Sequence, residues 1–234
     1  MLKAKLMDLF FQILSVFLLC FGGAIIIFFL VKEVKEVRFL KGIMRSVTGE
    51  QKFKNKENLI DFKNFLNTNV RYDSNQKEKK RPLLRHTASE ILKMNYGFCG
   101  ENARVAIKMM ILGGVRANRI YIYGKKWGHV VVEQKWSNKW FLFDGHYDPL
   151  TKMEDDYVVS INSSAMEEYP NGYPENPYVS IHRVKLFKLI KPLQSFSNIR
   201  LPKALIYYFE SPYLIKISFG VFLVLLGILI YFIK

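Results

Sequence analysis

Cysteine is scarce in this chain: 234 residues contain only Cys20 and Cys99. Cys20 lies inside a long apolar run and Cys99 in a polar region, so the two are poorly placed to pair. A disulfide framework, a structural zinc site and a redox CxxC pair are all excluded by that count, and neither a metal nor a cofactor is expected. Acidic residues are also in short supply, 20 against 35 Lys and Arg, for a formal net charge of +15. The basic residues are scattered apart from a patch at Lys77–Arg81. No nucleic-acid motif accompanies them, which argues against a nucleic-acid partner. Attraction to an anionic lipid surface is the simpler account of the charge. Internal repeats and long low-complexity tracts are missing too.

Long apolar runs, by contrast, are present at both ends. Leu9–Val31 has only Gln12 and Ser15 as polar members. At about 1.5 Å per residue a helix of that length crosses a hydrocarbon core of roughly 30 Å. Its length, and the lack of a small-x-small site before the charges begin at Lys32, argue against a cleaved signal peptide. Ile217–Ile233 is a second run, with Lys216 and Lys234 placed to snorkel at its ends. Two spans make the chain an integral protein of the cell membrane, with both termini on one side and residues 33–212 on the other. Lys32, Lys35, Arg38, Lys41 and Arg45 follow the first span, against Lys3 and Lys5 before it. Positive charge flanking a span favours the cytoplasm, so the middle domain is expected there.

The resulting organisation is a short tail (1–8), a first span (9–31), a juxtamembrane helix or linker (32–49), a soluble domain (50–195), a linker (196–213) and a second span (214–233). Val34, Val37 and Leu40 continue the helical spacing until Gly49. Leu59, Phe62, Phe65, Leu66 and Val70 form the inward stripe of an amphipathic helix within Lys52–Val70. Asp73–Pro82 reads as a polar loop. Thr87-Ala88-Ser89-Glu90 has the form of a capping box and predicts a short helix through Met94. Tyr178–Leu189 alternates and is expected to add a strand.

The chemistry concentrates in Asn95–Pro149. Cys99 heads a predicted helix to Leu112, with Ala103, Ala106, Ile107 and Met110 on one stripe and Gly113-Gly114 as the stop. At a helix N-terminus the unpaired N–H groups and the macrodipole stabilise a thiolate. Strands follow at Arg119–Gly124, His129–Gln134 and Trp140–Asp144. If Ser137-Asn138 is a two-residue turn, Trp136 faces Lys139 and Val131 faces Asp144. His129 is then the diagonal neighbour of Asp144, within reach of side chains; a three-residue loop would break that register. A thiolate, a base to form it and an acid to orient the base are the parts of a nucleophilic triad. Glu133 and Asp148 are rival acids and His146 a rival base.

The order Cys, helix, His strand, acid strand resembles the transglutaminase-like superfamily, a branch of the papain-like fold. The resemblance is carried by ASEILKMNYGFCGENARVAIKMMILGGVRANRIYIYG and WGHVVVEQKWSNKWFLFD. It implies an α+β domain, with the Cys-bearing helix packed on an antiparallel sheet, flanked here by two transmembrane helices. It also implies Cys99 as nucleophile, His129 as general base and Asp144 as orienting acid, acting on an amide or peptide bond of a peptide or protein substrate through a thioester. Hydrolysis and transfer to an amine are both within that chemistry. The cross-linking members use an upstream Trp to help hold the oxyanion, whereas this chain has no Trp before Trp127. Tyr72 and Tyr96 are the aromatic residues available instead. That departure motivates the alternative of a catalytically silent membrane scaffold whose cleft binds a peptide or protein partner.

Overall fold

The computed structural model describes residues 2–72, 86–124, 126, 128–136, 138–146, 159–160 and 178–233. The Asp73–Pro82 loop, Trp127, Asp148 and most of 147–177 lie outside the described residues. The chain divides into two compact units, Met1–Val37 with Ser211–Lys234, and Arg38–Glu210.

The first unit is a pair of antiparallel helices. It comprises the first part of α1 (Leu2–Thr48) and α7 (Pro212–Phe232), both long and apolar enough to cross a membrane. The two approach closely where side chains are smallest. A Cβ on Gly22 would lie 2.7 Å from the carbonyl oxygen of Gly220, and one on Gly227 would lie 3.0 Å from that of Ser15. The Ser15 hydroxyl donates to the Gly227 carbonyl at 2.8 Å, and Phe29 stacks on Tyr213. Close approach of small residues with a hydroxyl-to-carbonyl bond is the usual way apolar helices associate in lipid, where hydrophobic burial supplies no drive. Much of the remaining surface of both helices is exposed Phe, Leu, Ile and Val.

In the second unit, Leu40 and Met44 near the end of α1 enter the core. The helix stops before Gly49, whose φ of +74° suits glycine. The elements that follow are α2 (Lys56–Asn69), β1 (Arg71–Tyr72), α3 (Ala88–Met94), β2 (Tyr96–Gly97) and α4 (Cys99–Leu112). Then come β3 (Arg116–Gly124), β4 (Gly128–Trp136), β5 (Lys139–Phe143), β6 (Val159–Ser160) and β7 (Tyr178–His182). The unit ends with α5 (Lys185–Leu189), a 3₁₀ turn (Lys191–Phe196) and α6 (Lys203–Glu210). The expected stripe of α2 is buried through Leu59, Phe62 and Leu66. Thr87 caps α3 as its sequence requires: its hydroxyl accepts from the Glu90 N–H while the Glu90 carboxylate accepts from the Thr87 N–H.

Five strands form one sheet in the order β6-β5-β4-β3-β7, every neighbour antiparallel, and β1 pairs with β2 in parallel. Helix α4 packs on β3 and β4, with Ala103, Ala106, Ile107 and Met110 all buried. The small alanines let the helix lie close to the sheet, and Gly113 with Gly114 at φ +94° ends it. Phe62 stacks on Phe143, joining α2 to the last residue of β5. The α+β architecture is as the sequence implied.

Two segments differ from their sequence reading. The strand expected over Tyr178–Leu189 stops at His182, because the Arg183 and Val184 N–H groups turn away to the Ser197 carbonyl and α5 follows. The segment 196–213, read as a linker, contains α6, in which Ile206 and Glu210 are buried. Its inward face joins the core residue Ile206 to the carboxylate of Glu210.

Candidate active site

Cys99 is the first residue of α4, with extended Phe98 before it. The Phe98 N–H is taken by the Glu101 carboxylate at 3.0 Å, and Glu101 is in turn held by His86 Nδ1 at 2.9 Å. Backbone N–H groups of Gly100 and Val130 point at the sulfur of Cys99.

His129 is the second residue of β4 and pairs with Ile122 of β3, at the end of the sheet that meets the head of α4. The hairpin register is the one that a two-residue turn requires: Trp136 pairs with Lys139 and Val132 with Phe143. Asn138 takes φ +66° in that turn. The register carries Asp144, one residue beyond β5, to the His129 face, and His129 Nε2 lies 2.7 Å from Asp144 Oδ2. The same ring also hydrogen-bonds Cys99. The His146 N–H donates to Asp144 Oδ1 at 2.9 Å, so both carboxylate oxygens are engaged.

The electrostatics follow from this packing. Burial pushes the Cys99 thiol up, but the hydrogen bond and positive charge of His129, with the two backbone N–H groups, outweigh it and bring it below its ordinary value. Burial likewise opposes the imidazolium of His129. The bond and charge of Asp144, and then the contact with Cys99, outweigh burial and raise His129 to about 9. The arrangement favours a thiolate–imidazolium pair held against a carboxylate.

Of the described rivals, Glu133 lies away from the site and His146 borders it. Glu133 is fully buried and gripped by two guanidinium groups, at 2.7 Å from Arg183 and 2.9 Å from Arg200. Arg200 also stacks over Trp140, its carbon 4.5 Å from the ring centroid. His146 is lowered by burial, and its ring meets Tyr72 edge-to-face at 5.6 Å. Tyr72 also contacts Phe98, whereas the Tyr96 hydroxyl is directed to Met94 Sδ. Of the two tyrosines, Tyr72 is therefore the one at the site. Among the described residues no group of His, Cys, Asp and Glu is arranged to hold a metal ion.

Sequence reading passed over three supports. Asn102, three residues after Cys99 and so on the same helix face, donates to the Gly145 carbonyl at 3.3 Å. Arg119 of β3 places Nη1 3.3 Å from where a Gly100 Cβ would stand, and Glu210 of α6 holds Arg119 at 2.6 and 2.7 Å. The helical spacing of Asn102 was a usable signal; the long-range pairing of Arg119 with Glu210 had none.

Comparison with known proteins places these features in a family. The model of a transglutaminase-like domain matches residues 40–171, which include Cys99, His129 and Asp144. No curated protein matches the chain. Among solved structures, a candidate cysteine protease from Cytophaga hutchinsonii is 17% identical with a TM-score of 0.40, covering 62% of this chain and 50% of its own. A structure described as a TGase is 11% identical with a TM-score of 0.39, covering 60% of this chain and 36% of its own. This chain thus spans half or less of either protein. The family match extends over more than half of the sequence, and the chain belongs to the transglutaminase-like domain family.

Proposed function

We propose that the protein is a membrane-anchored cysteine enzyme acting on an amide or peptide bond, with Cys99 as nucleophile, His129 as acid–base and Asp144 as orienting carboxylate. The observation that carries this reading is the single His129 ring shared between Cys99 and Asp144. The thiolate adds to the substrate carbonyl, forming the C–S bond and a tetrahedral oxyanion. The N–H at the head of α4 is the expected donor to that oxyanion. The oxyanion collapses, the C–N bond breaks, and His129 delivers its proton to the departing amine. Water or an acceptor amine then attacks the thioester, giving its proton to His129 and returning the thiolate. Asp144 keeps the ring oriented and its charge compensated throughout. The positive charge flanking the first apolar helix supports a cytoplasmic position for the domain, where its substrates would be peptides or proteins.

The test is thiol reactivity in a Cys20→Ser background. An iodoacetamide probe should alkylate Cys99 quickly at neutral pH, and His129→Ala should slow it severalfold or more. Equal rates in the two proteins would refute the triad and leave a binding scaffold as the better account.

A further inference from the structure

Helix α6 is built inside out. Its buried residues are Ile206 and Glu210, the latter clamped by Arg119, while Leu205 and Phe209 stand outward at 39% and 50% exposure. Leu205 and Phe209 are four apart and so share one face. The exposure does not stop there. Among the described residues of Arg38–Glu210, the exposed large apolar side chains are Tyr72 at the site and six others: Leu189, Ile190, Phe196, Ile199, Leu205 and Phe209. All six fall within the stretch that leads directly into α7. Exposed Lys185, Lys191 and Lys203 are interleaved with them.

A helix that hides its carboxylate and shows Leu205 and Phe209 on one face is suited to a partner, because exposed apolar side chains side by side mark an interaction site. Phe209 precedes Pro212 by three residues, and a chain spans at most about 3.3–3.6 Å per residue. Phe209 thus stays within roughly 10 Å of the start of α7, whatever the rest of the domain does. We propose that the outer face of α6 is a bilayer-docking surface: Leu205 and Phe209 insert at the headgroup–acyl boundary, and Lys203 faces anionic headgroups. Apolar residues with flanking lysines are the composition of interfacial helices. The proposal rests on the two long apolar helices crossing a bilayer, and its test includes a control for that.

The full chain, with Cys20→Ala and Cys99→Ser, is reconstituted in phosphatidylcholine–phosphatidylglycerol vesicles carrying one nitroxide at Leu205→Cys, Phe209→Cys, Leu225→Cys or Asn138→Cys. Collision with oxygen is compared with collision with a water-soluble nickel chelate. Leu225 on α7 reports the span and Asn138 in the β4–β5 turn reports water. Leu205 and Phe209 are expected to show an oxygen-to-nickel ratio severalfold above that of Asn138, falling when phosphatidylglycerol is omitted. A ratio equal to that of Asn138, with Leu225 in lipid, overturns the docking surface alone. Labels immobilised and shielded from both reagents would mean that a second protein or a second copy covers the face, which also overturns it. A water-like Leu225 would remove the spans and this proposal together.

Discussion

The amide of Asn102, inside the helix that Cys99 begins, is bonded at 3.3 Å to the carbonyl of Gly145, the residue that follows Asp144. One buried side chain thus ties the nucleophile helix to the end of the acid strand. Fit at that joint is tight, since a Cβ on Gly145 would lie 2.1 Å from Asn102 Oδ1. Asp144 has one residue of slack between its strand and this anchor, and so has little freedom to drift from His129.

Gly145→Ala should therefore damage the site more than the fold. The added methyl must displace Asn102 or move the Asp144 segment, and a misplacement on the order of 1 Å can cost about 10²-fold in rate. Alkylation of Cys99 at neutral pH is expected to slow markedly while far-ultraviolet circular dichroism stays native. Unchanged alkylation would show that the Asn102–Gly145 bond does not position the acid.

The pH dependence should follow the thiolate–imidazolium pair. Cys99 is lowered and His129 is raised to about 9, so the reactive pair exists between the two values. Alkylation rises as pH climbs through the lowered thiol value, and the imidazolium beside the thiolate keeps its proton until about 9. Because the folded value of His129 lies above its ordinary 6.5, the favourable charge of that ring is present below 6.5 and lost as pH rises through about 9. In Asp144→Asn the main force holding the proton is removed, so His129 should lose its proton at lower pH, the thiol should lose the charge that lowers it, and the rise in alkylation should move to higher pH. A stopped-flow alkylation profile of both proteins measures this. An acid limb that does not move in the variant would separate Asp144 from the ring.

Much of this arrangement was legible in the sequence because it rests on local rules. The capping box at Thr87 and Glu90, the start of α4 at Cys99 and its end at Gly113-Gly114 are each set by residues within one helical turn. The hairpin register was conditional on a two-residue turn, and once Trp136 meets Lys139 every later pair down to Asp144 is fixed. What stayed hidden depends on partners far apart in sequence. Glu133 looked like a possible acid until Arg183 and Arg200 were seen around it. Helix α6 stayed hidden because its inward face joins core Ile206 to a carboxylate whose partner, Arg119, is distant in sequence.

That ion pair supports a last prediction. Arg119 lies between the Glu210 carboxylate, at 2.6 and 2.7 Å, and the head of α4, where its Nη1 approaches Gly100. Arg104 also reaches Glu210, its Nε 3.4 Å from Oε2, so one buried carboxylate balances two guanidinium groups. Glu210→Gln leaves both cations buried and short of a counter-charge. Breaking a buried pair in this way costs about 3–5 kcal/mol, and the melting temperature should fall accordingly. The site should respond in the opposite sense. With Glu210 neutralised, the charge of Arg119 acts on the Cys99 thiolate without compensation and holds the thiol lower still. The acid limb of the alkylation profile should then move to lower pH even as the protein becomes less stable. Arg119→Met, which removes the charge altogether, should move that limb the other way. If both variants lose stability and neither moves the limb, the Arg119–Glu210 pair braces the fold and does not tune the nucleophile.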